Sequence, residues 1–261
     1  MDFIKQMLND NEAVSETLGY ILLFAIALSA IAIILLVGNS IISGEKTNDN
    51  FQNMVQNFVI VQGNLNQVAL DGTPIETTMI HMDSGTLGLN TSSSRIVVDY
   101  DTTHYNNTTG QIIFTQENDL LTNVSLEDGG IWQASEDYNS IVSEPRMYIT
   151  PNTQTLVLNI YRLTASNSSI ITNAGSGTVN VGLEFVNTTV LPIDNDANGS
   201  ATLTIYTNYP DAWYSYLSSM TLGVSRNVSF TDGLQVTIPD VSKLVISEHW
   251  VKVTFSGIYS S

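Results

Sequence analysis

The sequence predicts an α+β protein: a long N-terminal transmembrane and stalk helix, then an all-β, sandwich-like ectodomain with one short helical insert. Three observations carry this. Leu18–Val37 is an uncharged apolar run of about twenty residues, the length at which a helix crosses a bilayer. The polar stretch after it keeps apolar residues at spacings of three and four, the period of one helix face. Beyond Pro74 the period falls to two, with β-branched runs separated by Gly, Asn and Asp.

The composition narrows the function classes. A chain of 261 residues with 43% apolar content can bury a core even after the span is set aside. Its net charge of −17, with eight Lys and Arg in all, leaves little to neutralise phosphates, so nucleic acid is not an expected partner. Cysteine is absent, which removes disulfides, thiolate metal sites and thiol nucleophiles together. Only 13% of residues are charged, and Asn, Ser and Thr supply the polar surface, a composition suited to a cell exterior.

The N-terminus carries the most specific motif. Lys5 is outnumbered by Asp2, Asp10, Glu12 and Glu16, and no A-x-A site follows the apolar run, so an ordinary secretory signal is not expected. Instead Glu12-Ala13-Val14-Ser15-Glu16 stands directly before the span. This junction resembles the class III signal of archaeal type IV pilins and archaellins, and the chain from Glu12 to about Leu70 is most similar to archaeal pilin-like membrane proteins of unknown function. The resemblance implies that a prepilin peptidase cuts after Ala13, leaving Val14 as the new N-terminus, with Glu16 near the freed amine. The charged residue before Ala13 is here Glu12 rather than Lys or Arg. On this reading residues 1–13 are a leader, 14–70 a membrane helix continuing into an amphipathic stalk, and 71–261 a head outside the cell. Lys5 and Lys46 balance across the span, so positive charge does not choose the orientation. An extracellular C-terminal side, with the N-terminus cytoplasmic, rests on the head's composition.

In chain order, Leu22, Ile26, Ile33 and Leu36 are the expected helix-to-helix contacts of the span. Phe51, Val55, Phe58, Gln62, Leu65 and Ala69 form the stripe beyond it, widened by Met54, Val61 and Val68. A helix over 14–70 would be about 85 Å long. Asp71-Gly72-Thr73-Pro74 ends it by turn chemistry. The expected strands are Ile75–His81, Arg95–Tyr100, Gln111–Gln116, Leu156–Leu163, Thr178–Val186, Ala201–Thr207, Leu234–Ile238, Lys243–Ile246 and Trp250–Phe255. A helical insert falls at Tyr209–Leu217, where Pro210 suits the first turn and the aromatics are expected to cap a sheet. Small polar residues cluster at 166–177, which marks either a sub-boundary or a loop.

No nucleotide-binding or hydrolase motif is present, and the chain reads as a non-enzyme. His81, His104 and His249 lack metal-ligand spacing. The acidic pairs Glu127/Asp128 and Glu136/Asp137 are adjacent, which on a strand points them to opposite faces. No resident cofactor is expected, with one candidate exception. Asp194, Asp196, Asn198 and the Ser200 carbonyl match the first half of a Ca²⁺ loop around Gly199, although position twelve is Ile205. A plain turn explains the same residues. N-glycosylation sequons begin at Asn90, Asn106, Asn107, Asn123, Asn167, Asn187, Asn198 and Asn227, against roughly five expected by chance. The expected function is a pilin-like structural subunit whose partners are the lipid bilayer, other pilin-like subunits and the prepilin peptidase. The competing expectation is a single-span surface protein that binds a partner, a glycan or the S-layer, or a stator-like accessory of the archaellum.

Overall fold

A computed structural model describes residues 2–116, 122–135, 138–150, 152–166 and 170–258, without the side chains of residues 2–17, 36–47 and 194–198. The chain divides into two compact units, Met1–Asp49 and Asn50–Ser261, with the boundary inside helix α1 (Asp2–Leu70). In the first unit Leu18–Leu35 has a mean hydropathy of 2.7, and none of it is buried.

In the second unit, the α1 residues from Asn50 onward bury the whole predicted stripe: Phe51, Met54, Val55, Phe58, Val61, Gln62, Leu65, Val68 and Ala69. The spacing of three and four keeps these side chains on one face, so a polar helix still covers a core. Helix α1 stops where Asp71 and Thr73 donate their N–H groups to the Gln67 carbonyl and Gly72 takes a positive φ of 73°.

The strands follow in order: β1 (Ile75–Met82), β2 (Thr86–Asn90), β3 (Arg95–Tyr100), β4 (Thr103–Thr108), β5 (Gln111–Gln116), β6 (Thr122–Glu127), β7 (Gly130–Ser135), β8 (Tyr138–Ser143), β9 (Met147–Thr150), β10 (Thr155–Thr164), β11 (Ile170–Ala174) and β12 (Gly177–Tyr206). After helix α2 (Pro210–Met220) come β13 (Ser225–Arg226) and β14 (Leu234–Ile258). They form a mostly antiparallel, sandwich-like pair of sheets. The eight-stranded sheet runs β4-β3-β12-β14-β10-β9, with β1 on β12 and β13 on β14, and the six-stranded sheet runs β11-β2-β5-β6-β7-β8. Among the described strands, only β10 and β14 pair in parallel.

β12 and β14 are the spine. The sequence suggests separate strands at 178–186 and 201–207, and again at 234–238, 243–246 and 250–255. The structure fuses each set, because antiparallel pairing between the two resumes across each irregularity. The register shifts between Asp194 and Gly199 and again between Gly199 and Ala201, the second opposite the segment where Asp240 takes φ 56°. A locally kinked backbone thus stays within one strand, as at a β-bulge. The cluster at 166–177 contains β11, which pairs with β2.

The spine carries two apolar cores. One lies under the α1 residues, with β1, β2, β5, β6 and the adjacent parts of β10, β12 and β14. The other gathers β3, β9, α2 and the remaining halves of β10, β12 and β14 around Trp132 of β7.

Candidate functional site

The apolar surface of the first unit is open along its described length. Leu22, Ile26 and Ile33 are 66%, 58% and 61% exposed, whereas the Leu36 side chain lies outside the described residues. The junction Glu12-Ala13-Val14-Ser15-Glu16 falls within the helical backbone of α1, its side chains also outside the described set.

The second unit holds an unexpected polar centre at the β6–β7 hairpin. Glu127 and Gly130 close a two-residue turn in which Asp128 and Gly129 both have positive φ, 49° and 75°. Asp-Gly is a standard signature of this turn, because both central residues must tolerate the left-handed region. Both carboxyl groups are buried. Asp128 sits in the turn rather than on a strand, so the alternation expected of an adjacent strand pair does not apply. Glu136 and Asp137 lie outside the described residues.

The Glu127 side chain accepts a hydrogen bond from Trp213 Nε1 at 3.0 Å, and its backbone carbonyl accepts one from Trp132 Nε1 at 3.0 Å. The two indoles stack with centroids 4.2 Å apart. Burial pushes the Glu127 carboxyl up to about 7, opposed by hydrogen bonds from Thr207, Trp213 and Ser94. Asp128 accepts the Tyr161 N–H at 2.9 Å on Oδ1, while its buried Oδ2 has no hydrogen-bond partner among the described residues. Burial raises the Asp128 carboxyl well above the usual range; the Tyr161 N–H opposes this and the neighbouring Glu127 charge adds to it. An uncompensated carboxylate in such a place is costly, which favours the neutral acid.

The hairpin is also tied to α1. Gln62 Nε2 donates to the Gly129 carbonyl at 2.7 Å, and a Cβ at Gly129 would meet the Tyr161 ring. Helix α2 covers the same centre. Its Ala212 N–H is capped at 2.7 Å by Asn139 Oδ1 of β8, and Tyr216 OH donates to the Pro145 carbonyl at 3.1 Å. Trp213, Tyr216 and Leu217 are buried, the sheet-capping role expected of this insert.

Glu248 accepts from Tyr105 OH and Asn107 Nδ2, each at 3.0 Å, and pairs with Arg162 at 3.3 Å. Arg162 lies over the Trp250 ring at 4.1 Å. His249 bonds Thr188 and Asn159, and burial lowers its pKa. His81 and His104 pair with Asp83 and Asp99 on the surface. Among the described residues no three metal-binding side chains gather. Of the Ca²⁺ candidates, Asp194, Asp196 and Asn198 have side chains outside the described residues, and Ser200 is exposed at the irregular part of β12.

The sequons differ in accessibility. Asn106, Asn187 and Asn227 are exposed, and Asn90 and Asn107 are half-buried. Asn123 accepts Tyr209 OH at 2.7 Å. Asn167 lies outside the described residues, as does the Asn198 side chain. Finally, a polar cleft of about 440 Å³ opens between the α1 residues Gln62 and Asn66 and the segment Val142–Arg146.

Together these features define a class: a β-rich unit with a buried carboxyl centre, preceded by one apolar helix whose described surface the chain does not cover. The chain belongs to a family of unknown function, DUF7289, whose model matches residues 12–254. It is similar to an uncharacterized protein of Archaeoglobus fulgidus, at 24% identity over 78% of this chain and 82% of that one. No solved structure gives a significant match.

Proposed function

We propose that this chain is an archaeal cell-surface pilin-like subunit. Met1–Ala13 is removed by a prepilin peptidase, and the helix from Val14 is held in the bilayer or against the helices of other subunits. The residues to Leu70 serve as its stalk, and the β-rich unit stands outside the cell. The observation that carries this reading is the bare apolar surface of Leu18–Leu35. Apolar area is stabilised at roughly 25 cal/mol per Å² when removed from water, so a surface of this kind requires lipid or other helices around it. The family match opens at Glu12, the first residue of the junction, and the relative is archaeal, which supports the same reading.

N-terminal sequencing of the protein from its native membrane tests the processing step. A mature chain beginning at Val14, recovered with sheared filaments, is the expected result. An intact chain beginning at Met1 overturns it. A Val14 chain that never leaves the membrane fraction instead identifies a solitary anchored surface protein, the reading that the polar cleft favours.

Surface exposure also predicts which sequons carry glycans. Asn106 and Asn187 are open, while Asn107 donates its amide to Glu248 and Asn123 is hydrogen-bonded to Tyr209. Glycopeptide mass spectrometry is expected to find sugar on Asn106 and Asn187 but not on Asn107 or Asn123. A glycan on Asn123 contradicts this.

A further inference from the structure

The cleft beside Gln62 and Asn66 carries an inference independent of how the apolar helix is used. Its wall is preorganised. Gln62 Nε2 donates to the carbonyls of Gly129 and Glu144 at 2.7 and 3.2 Å, and Gln62 Oε1 accepts from Ser143 Oγ at 2.7 Å. Every polar atom of that amide is engaged, so Gln62 fixes the segment Ser143–Glu144 against α1 and cannot turn towards a ligand. Asn66 is held differently. Its Oδ1 accepts Tyr161 OH at 2.7 Å, which orients the amide, and among the described residues its Nδ2 donates to no protein group while Asn66 lines the cleft.

Arg146 completes the lining, and its situation is unusual for this chain. Cations are scarce, and those of the β-rich unit are otherwise engaged. Arg95 lies over Tyr206, Arg162 pairs with Glu248, Arg226 with Asp211 and Lys252 with Glu184; Lys243 also has a partner. Among the described residues the Arg146 guanidinium has no ion pair and no ring partner, although Glu144 lines the same cleft. The positive charge of Arg146 also reaches the Tyr161 phenol that holds Asn66, opposing the rise that burial imposes there. A planar guanidinium with its donors free, next to an oriented amide, is a carboxylate receptor.

The lining also restricts what the carboxylate is attached to. It is almost wholly polar, with Val142 and Pro145 the apolar contributions, and its volume lies within the range of small-molecule sites. One Arg faces one Glu, so the cleft has no excess positive charge for a dianion such as phosphate. Glu144 and the lone pairs of Ser143 Oγ instead accept hydrogen bonds from hydroxyl groups. We propose that this cleft binds a monocarboxylated, hydroxyl-rich small molecule of the hexuronate type, with Arg146 and Asn66 Nδ2 on the carboxylate and Glu144 and Ser143 on the hydroxyls.

The test is isothermal titration of the full chain in detergent micelles with sodium glucuronate, glucose, sodium acetate and inorganic phosphate. An exposed, unsupported guanidinium gives modest affinity, so glucuronate is expected to bind with a Kd on the order of 1 mM. Glucose and acetate are expected to bind at least about tenfold more weakly, each lacking half of the recognised groups. Phosphate is expected to bind no better than glucose. Arg146→Gln is expected to bring glucuronate down to the glucose level without moving the melting temperature, because the removed group holds nothing else in place. Glucuronate that binds no more tightly than glucose, or equally well to Arg146→Gln, overturns the site. Acetate matching glucuronate overturns the sugar-acid assignment, and phosphate exceeding glucuronate overturns the monocarboxylate one.

Discussion

Replacing Trp213 by alanine is expected to lower the stability of the β-rich unit by about 3–5 kcal/mol, the usual cost of truncating a fully buried large aromatic. Trp213 is the hub through which α2 reaches both indole and carboxyl. It is fully buried, stacks on Trp132 at 4.2 Å and donates to Glu127 at 3.0 Å. Truncation therefore leaves a cavity against Trp132 and removes one donor from a buried acid. For a unit of this size the loss corresponds to a fall in melting temperature of roughly 10 °C. Trp213→Phe separates the contributions, since it keeps a ring in the stack but not the donor, and about 1–3 kcal/mol is expected for the deprived acceptor. Circular dichroism melts of the full chain in detergent measure both. If Trp213→Ala melts within about 2 °C of the parent, α2 is not a structural cap and its aromatics have another role.

The second large effect is a dependence of stability on pH that runs opposite to ordinary acid denaturation. The Glu127 carboxyl titrates near 7 in the folded chain, against 4.5 for the free group. Below about pH 4.5 both the folded and unfolded states hold the proton, and the full stability is present. Between about 4.5 and 7 the unfolded state releases it while the folded state keeps it, so stability falls as pH rises. The loss amounts to something on the order of 3 kcal/mol by pH 8, at about 1.4 kcal/mol per unit. Asp128, raised in the same direction by burial, adds to the decline. Glu127→Gln is expected to remove the part between pH 4.5 and 7. The amide oxygen still accepts from Trp213, and the amide nitrogen can donate to the Ser94 and Thr207 hydroxyls. Urea midpoints of parent and variant at pH 5 and pH 8 decide the matter: the variant should gain on the parent only at the higher pH. Parallel pH profiles would mean that Glu127 is not the group responsible.

The two predictions share an origin that was only partly legible in the sequence. Strands with one face buried were readable, because alternation survives there. Arg95–Tyr100 and Gln111–Gln116 match β3 and β5 residue for residue, and the α1 stripe from Phe51 to Ala69 is buried as its period requires. The strands overlooked are of a different kind. β6 and β7 meet at Glu127-Asp128-Gly129-Gly130, and the inner ends of both strands are buried on consecutive positions, which erases the period of two. β4 is nearly all polar, and β2 contains Gly88. The Asp-Gly pair at 128–129 is the local signal of the hairpin, between flanking strands whose own alternation is weak.

The sequence by itself determined the order of the parts: an apolar helix long enough for a membrane, an amphipathic continuation, a β-rich unit and an aromatic helical insert. Each of these follows from a pattern repeated over neighbouring residues, and local spacing is what a linear chain displays directly. Only the tertiary structure decided that Glu127 and Asp128 are buried acids rather than a solvated turn, and that Arg146 has no ion pair among the described residues. The groups responsible come from Ser94, Tyr161, Thr207 and Trp213 on the one hand, and from Gln62, Asn66 and Ser143 on the other. Those segments lie far apart along the chain. Desolvation and ion pairing depend on which of them meet in space, a choice made by the packing of α1 and α2 around the β12–β14 spine.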